Sequence, residues 1–283
     1  MHKLEINDVL LSKHLKKTTN DGFCIFEMPD FLPLDFYSLL HSNFPPLDLL
    51  VKSTPIAHRS DNKFSLLLDG KLQQRGIFSD GHNSVEGQLK KFFDTSPEWL
   101  HFMELMSSPE FVYDAIETFK KEINKSRGLK YFSRKKFYSK DVKTKSLLRV
   151  NISINFMFSA AGESGRIYPH TDAKDKLISL LLYLPKDNWS PEYKGETTFY
   201  KLKNKIKYLK WAYLGKKNVH VKNKKFLNKF NNDHKVQLKS KYVKNMLVGF
   251  IKNKQSWHSL GPIVCGDNNH RRVFMINIKW SDS

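Results

Sequence analysis

Cysteine is nearly absent from this 283-residue chain, which has only Cys24 and Cys265. Two cysteines cannot build a disulfide framework, so the sequence reads as that of a protein for a reducing compartment. Long apolar runs are missing too. No stretch is long enough to cross a bilayer. The opening segment "MHKLEINDVLLSKHLKK" carries charges throughout and lacks the apolar h-region of a signal peptide. The expectation is a cytoplasmic protein with no membrane span. Acidic residues are the scarce charge: 28 Asp and Glu stand against 48 Lys and Arg, a formal net charge of +20. There is no internal repeat and no nucleic-acid-binding motif of a recognised type. What is present is hydrophobic material, 40% of the chain with 13% aromatic, enough to bury a core. That excludes a disordered polymer.

Periodicity divides the chain. "DGFCIFEMPDFLPLDFYSLLHSNFPP" reads as a short strand followed by a helix, with Pro33 in the first turn. From Ser84 to Asn124 the pattern is helical. "SPEWLHFMELM" and "SPEFVYDAIETFKKEIN" both open Ser-Pro-Glu, a helix-start signature. Val112, Ile116, Phe119 and Ile123 make one apolar face. After Ser146 the period becomes two. In "LLRVNISINFMF", apolar Leu148, Val150, Ile152, Ile154, Phe156 and Phe158 alternate with Arg149, Asn151, Ser153 and Asn155. Further strands are expected at Leu177–Leu184, Glu196–Tyr200, Val243–Ile251 and Arg271–Trp280. Helices first and strands second suggests an α+β fold, with helices buttressing an antiparallel sandwich or jelly roll. A single domain over 1–283 is expected, with a support region at 1–145 and a β core at 146–283.

Between Lys201 and Lys254 there are seventeen Lys, no Arg and one acid, Asp233, so this stretch holds net +16 (17 − 1). It reads as a solvated, Lys-rich insertion at about 201–242 that interrupts two strands. Its aromatics, Tyr208, Trp211, Tyr213, Phe226, Phe230 and Tyr242, either stack on a ligand or anchor the loop to the core.

Chemistry concentrates in "RIYPHTDAKDKLISLLLYLP". His170 and Asp172 lie two apart on an extended segment, so both side chains point to one side and can grip one ion. Alone, the pair also suits a surface loop at a strand start. A third donor, His258, follows the strand at Val243–Ile251 in "KNKQSWHSLGPI". Two imidazoles and one carboxylate on a β scaffold form a facial triad that leaves three octahedral positions open, which suits non-haem Fe(II) and oxygen chemistry. The open positions accept a 2-oxo acid and O2. The far carboxylate of 2-oxoglutarate then needs a cation, best an Arg fork. "HRRVFMINIKW" offers Arg271 and Arg272 on opposite faces. Arg271 shares its face with Val273, Met275 and Asn277, the more polar side, and is preferred, with Arg272 as the alternative.

The order H-T-D, apolar strand, G-E-T-T-F, W-H-S and R-R before a last strand resembles the Fe(II)/2-oxoglutarate-dependent dioxygenases, in their prolyl-hydroxylase-like branch. The likeness covers roughly Leu148 to Trp280, less the Lys-rich insertion. It implies a double-stranded β-helix core with N-terminal supporting helices. Carried over, it makes His170, Asp172 and His258 the metal ligands and catalytic centre, and Arg271 the anchor of the distal carboxylate. Tyr183 becomes a hydroxyl partner of that carboxylate and Thr197 a residue lining the cosubstrate. It implies Fe(II), 2-oxoglutarate and O2, and hydroxylation of an unactivated C–H with release of succinate and CO2. The expected substrate is a small molecule or a polymer side chain. The Lys-rich stretch points to an anionic one, with nucleic acid less favoured. The competing reading is a non-catalytic, cupin-like protein that binds an anionic glycan or nucleic acid. Gly195, before the G-E-T-T-F strand, is expected to serve a tight turn.

Overall fold

A computed structural model describes residues 3–52, 60–69, 83–127, 138–139, 150–217, 221 and 223–282. In chain order the first half holds α1 (Leu11–His14), β1 (Thr18–Thr19), β2 (Ile25–Met28), α2 (Leu34–Ser42), β3 (Val51–Lys52) and β4 (Ser60–Asp69). Four helices follow: α3 (Asn83–Thr95), α4 (Pro97–Ser107), α5 (Pro109–Thr118) and α6 (Lys120–Arg127). The second half holds β5 (Tyr138–Ser139), β6 (Val150–His170), β7 (Lys176–Tyr183), β8 (Thr197–Leu202), α7 (Tyr208–Lys216), α8 (Lys224–Asp233), β9 (His234–Ser240), β10 (Leu247–Ile251), β11 (His258–Leu260) and β12 (Arg271–Asp282). Leu148 and Arg149, where the alternation begins, lie outside the described residues.

The strands form a jelly roll, and β6 holds its two sheets together. From Val150 to Ala161, β6 pairs with β12, and β7, β10 and β2 continue that sheet. The chain then bends. Ser164 takes a φ of 59°, and a Cβ on Gly165 would lie 2.6 Å from the Gly162 carbonyl, so this corner requires glycine. Beyond it, Ile167 to His170 pair with β11, and β8 and β9 complete the second sheet. With β6 shared, the order β2-β10-β7-β12-β6 on one side and β6-β11-β8-β9 on the other, antiparallel throughout, makes the α+β jelly roll.

Strand parity sorts the side chains. Phe156, Phe158, Phe274, Ile276 and Ile278 point out to the helices, where Trp99, Phe102, Ile116 and Phe119 bury them. The Trp99 and Phe158 rings meet edge-on at 4.7 Å, and Phe26 stacks on Phe119 at 4.3 Å. The alternate positions, among them Met157, Ser159, Arg271, Val273 and Met275, face between the sheets. Ser108 caps α5 by accepting from the Phe111 amide at 3.2 Å, whereas Ser96 makes no such bond to α4. Pro33 sits just outside α2, as its cap residue.

Three sequence expectations change. β4 was not foreseen. It pairs along β6 and buries Leu66 and Leu68, covering what would otherwise be an open sheet edge. The strand expected from Val243 begins only at Leu247. Asn245 adopts a φ of 55°, and its side-chain amide bonds both the amide and the carbonyl of Leu32, making a turn of the preceding residues. The Lys-rich stretch is no solvated loop. Lys201 and Leu202 end β8, and residues 234–240 form β9, so the added unit is the two helices between them.

That unit has its own core. Trp211, Val221, Phe230 and Trp257 are fully buried together, and His234 stacks on Phe230 at 4.0 Å. Asp233, the lone acid, is buried. It accepts from Trp211 Nε1 at 2.9 Å and from Lys207. Burial pushes the His234 imidazole down to about 4. Between about pH 6.5 and 4, therefore, the unfolded chain takes up a proton at this site that the folded chain refuses. Stability drains as pH falls through that window, by about 3 kcal/mol in all from this group. His41, His258 and His270 are also lowered and add to the slope. A His234→Phe variant keeps the stack but cannot titrate. Melting curves from pH 7.5 to 4.5 are expected to show a shallower decline for the variant than for the parent chain; parallel curves would refute the assignment.

Candidate metal centre

β6 and β11 are antiparallel neighbours, and their register sets His258 directly opposite His170. Directly opposed residues hold their side chains close together, and the two imidazole rings lie 4.3 Å apart. Asp172 follows two residues past the end of β6. One ligand atom from each of His170, Asp172 and His258 lies within 4.8 Å of the others. The sequence-derived triad is thus brought to one point.

The hydrogen bonds around the triad suit a cation. His170 Nδ1 donates to the Tyr168 carbonyl at 2.8 Å, and His258 Nδ1 donates to the Ser256 carbonyl at 3.0 Å. A carbonyl can only accept, so both Nδ1 atoms carry the proton, and in the neutral ring Nε2 presents its lone pair. Burial lowers the His258 pKa, against the pull of Asp172, and keeps that ring neutral at pH 7. Asp172 is buried as well. Burial alone would raise its pKa, but Lys176, the two imidazoles and a hydrogen bond from Ser179 together hold it far below the usual carboxylate range. Ser179 Oγ donates to Asp172 Oδ2 at 2.8 Å and lies 3.2 Å from Asn277 Oδ1. Lys176 Nζ is 3.1 Å from Asp172 Oδ1. Each carboxylate oxygen has two lone pairs, so Oδ1 can serve the ammonium and still face the histidines. Two imidazole Nε2 atoms and an ionised carboxylate at one end of a cavity fit a hexacoordinate first-row metal.

That cavity measures about 260 Å³, and the triad lines one part of it. Thr197 and Arg271 line another. Arg271 is buried. Its Nε donates to the Gly195 carbonyl at 2.6 Å and its Nη2 to Thr197 Oγ1 at 3.0 Å. The guanidinium lies 5.2 Å from the centre of the Tyr183 ring and 5.0 Å from that of Tyr242. Tyr183 itself sits behind the lining, fully buried, and its hydroxyl donates to Thr197 Oγ1 at 2.7 Å. Arg272 points to the opposite face. There it donates to the Leu184 carbonyl, lies 3.0 Å from His41 Nε2 and covers the Phe44 ring. Gly195 makes no left-handed turn. The positive φ belongs to Lys194, and a Cβ on Gly195 would lie 2.5 Å from the Tyr242 ring.

Several partners escaped the sequence reading. Lys176 had a signal, four residues beyond Asp172, but only the turn at Ala173–Lys176 folds it back. Ser179 and Asn277 meet because β7 and β12 pair in register at those two residues, and a single strand pattern does not reveal its partner's register. Tyr242 belongs to a segment whose composition suggested a loop.

No family model matches the chain, and no curated protein matches it. Among solved structures it is similar to a prolyl-4-hydroxylase of Pseudomonas putida, at 12% identity over 97% of this chain and 98% of that one, with a TM-score of 0.44. A prolyl hydroxylase of Trichoplax adhaerens, in complex with a hypoxia inducible factor peptide fragment, is similar at 11% identity over 97% and 88%, with a TM-score of 0.44. HygX of Streptomyces hygroscopicus, with nickel, 2-oxoglutarate and hygromycin B bound, is similar at 8% identity over 92% and 84%, with a TM-score of 0.44. With TM-scores below 0.5, none of the chemistry assigned to this chain rests on these likenesses.

Proposed function

We propose that the protein is an Fe(II)- and 2-oxoglutarate-dependent oxygenase that hydroxylates an unactivated C–H bond and releases succinate and CO2. One observation carries this reading: a single cavity holds a two-histidine, one-carboxylate donor set and a buried guanidinium. Among the described residues, the partners of Arg271 are all uncharged. A buried cation surrounded by neutral groups is costly until an anion completes it. A dicarboxylate that chelates the metal through its 2-oxo acid end and offers its far carboxylate to Arg271 satisfies both needs.

When bound, iron and its cosubstrate supply the oxygen-activating chemistry. The chain's residues hold and orient. His170 and His258 offer Nε2 lone pairs, fixed by their Nδ1 bonds to carbonyls. Asp172 offers one oxygen while Ser179 restrains the other, so the carboxylate occupies one position and leaves room for cosubstrate and oxygen. Two of the five N–H groups of Arg271 are used within the protein, and these two aim the rest. Thr197 joins Arg271 to Tyr183 and gives the cation a fixed seat. Met157, Leu181, Leu260 and Met275 supply apolar lining that excludes water. Lys63 and Lys176 in the same lining favour a substrate with an anionic group, whether small molecule or polymer side chain.

The test is optical. Under anaerobic conditions, Fe(II) and 2-oxoglutarate together are expected to give the protein a weak violet charge-transfer band, and admitted oxygen is expected to yield succinate. Fe(II) binding with no band on adding 2-oxoglutarate would remove the cosubstrate from the account. A band with no succinate, across a panel of anionic substrates, would leave a binding protein.

A further inference from the structure

Large hydrophobic side chains that stand in water cluster on the two-helix unit. Ile206 is 87% exposed, Leu209 81% and Tyr213 57%, and the three fall within eight residues. Spaced three and four apart, they form one stripe along α7 and the turn that leads into it. The opposite face of α7 buries Trp211 and Ala212, so the helix is anchored and the stripe is its outer side. Exposed lysines surround the stripe: Lys205 on one flank, Lys210 on the other and Lys217 a turn further on. Lys224, Lys225 and Lys229 on α8 are exposed as well. Lys229 lies close enough to Lys210 to add to the burial that lowers the Lys210 pKa. The unit's only acid, Asp233, is turned inward.

We infer that this face docks the protein on an anionic membrane surface, with Ile206, Leu209 and Tyr213 entering the interface and the lysines pairing with lipid headgroups. Charge complementarity calls for an anionic occupant. The apolar part chooses among anionic occupants. Side chains more than 80% exposed stand proud of their surroundings, and a protein partner would need a matching pocket to cover them. A fluid acyl layer needs none. Base stacking would reward planar rings, whereas the two most exposed residues are aliphatic. Such docking is peripheral and reversible, and it calls for no spanning segment. Among the described residues no helix is long and apolar enough to cross a membrane.

The experiment is co-sedimentation of the full chain with phosphatidylcholine vesicles, with and without about 30% phosphatidylserine. Binding is expected only with phosphatidylserine, weakened about 10-fold or more when salt rises from about 0.1 to 0.5 M. An Ile206→Ser, Leu209→Ser double variant keeps every lysine and is expected to bind about 10-fold more weakly or worse. Both residues are exposed, and an unchanged melting temperature checks that the variant folds. No binding by the parent chain overturns the inference. Equal binding by parent and variant overturns it too, since that is the adsorption of any strongly basic protein. If single-stranded DNA or a polyglutamate peptide displaces the vesicles, and the double variant loses affinity for that competitor instead, the face belongs to that class of partner.

Discussion

His170→Ala is expected to weaken Fe(II) binding by more than about 100-fold, the upper range for merely losing an outer-shell partner of a ligand. Succinate formation is expected to fall to background. The imidazole is one of three donors that meet at the site, and the variant leaves Asp172 and His258 with nothing to close the ion's third side. His170 suits the test because 12% of its side chain is exposed, and it lacks the buried Ser179 hydrogen bond and Lys176 ion pair that tie Asp172 into the fold. Metal affinity should therefore collapse while the melting temperature of the metal-free protein moves by only a few degrees. Isothermal titration with Fe(II) under anaerobic conditions, beside a thermal melt, separates the two effects. Near-normal affinity in a folded variant would take His170 out of the coordination sphere.

The second large effect belongs to the other part of the cavity. Arg271→Ala is expected to raise the 2-oxoglutarate concentration for half-maximal turnover by roughly 100-fold or more. Two charge-assisted hydrogen bonds to one carboxylate contribute about 1.5–3 kcal/mol each, and the variant loses both. Arg271→Lys keeps the charge but not the planar fork, and should fall between the variant and the parent. Arg272→Ala is the control. Its guanidinium serves Leu184, His41 and Phe44 on the helix-facing side, so it should shift the 2-oxoglutarate requirement by less than about 3-fold. Its cost should appear as lost stability, about 1–2 kcal/mol for a half-buried cation and its packing. A larger cosubstrate effect from Arg272 than from Arg271 would reverse the assignment.

The sequence showed elements in proportion to how local their causes are. Period-two alternation through Ile152–Phe158 and Arg271–Trp280 marked β6 and β12 and told their faces apart, because a strand's two sides differ in what they touch. That parity alone put Arg271 on the inner side and Arg272 on the outer. His170, Asp172 and His258 could be found because metal ligation restricts residue types at fixed offsets. Features that depend on pairing could not be found this way. The meeting of Ser179 with Asn277 is set by the register of two strands almost a hundred residues apart, and the seat of Arg271 by the arrival of Tyr242 from beyond the Lys-rich unit. β4 has turn residues at both ends, Ser60-Asp61-Asn62 and Asp69-Gly70, but its apolar residues run together as Leu66-Leu67-Leu68 and do not alternate, so the period-two signal was missing. β9 carries an alternation in "HKVQLKS", but abundant lysine masked it, and a bulge opposite Phe199 and Tyr200 puts Val236 and Leu238 on opposite faces. Lysine stems lie along apolar surface with their charges in water, so a Lys-rich composition does not exclude an ordered strand.

Thr171, the residue between the first two donors, gives its hydroxyl proton to the Gly215 carbonyl at the end of α7, at 2.6 Å and out of contact with water. The Val221 amide reaches the Pro169 carbonyl from the same unit. The donor segment and the basic appendage thus share a fastening. With Fe(II) and 2-oxoglutarate bound as proposed, the charge-transfer band would serve as a remote gauge: a change that loosens or braces the two helices is expected to shift it without touching a ligand.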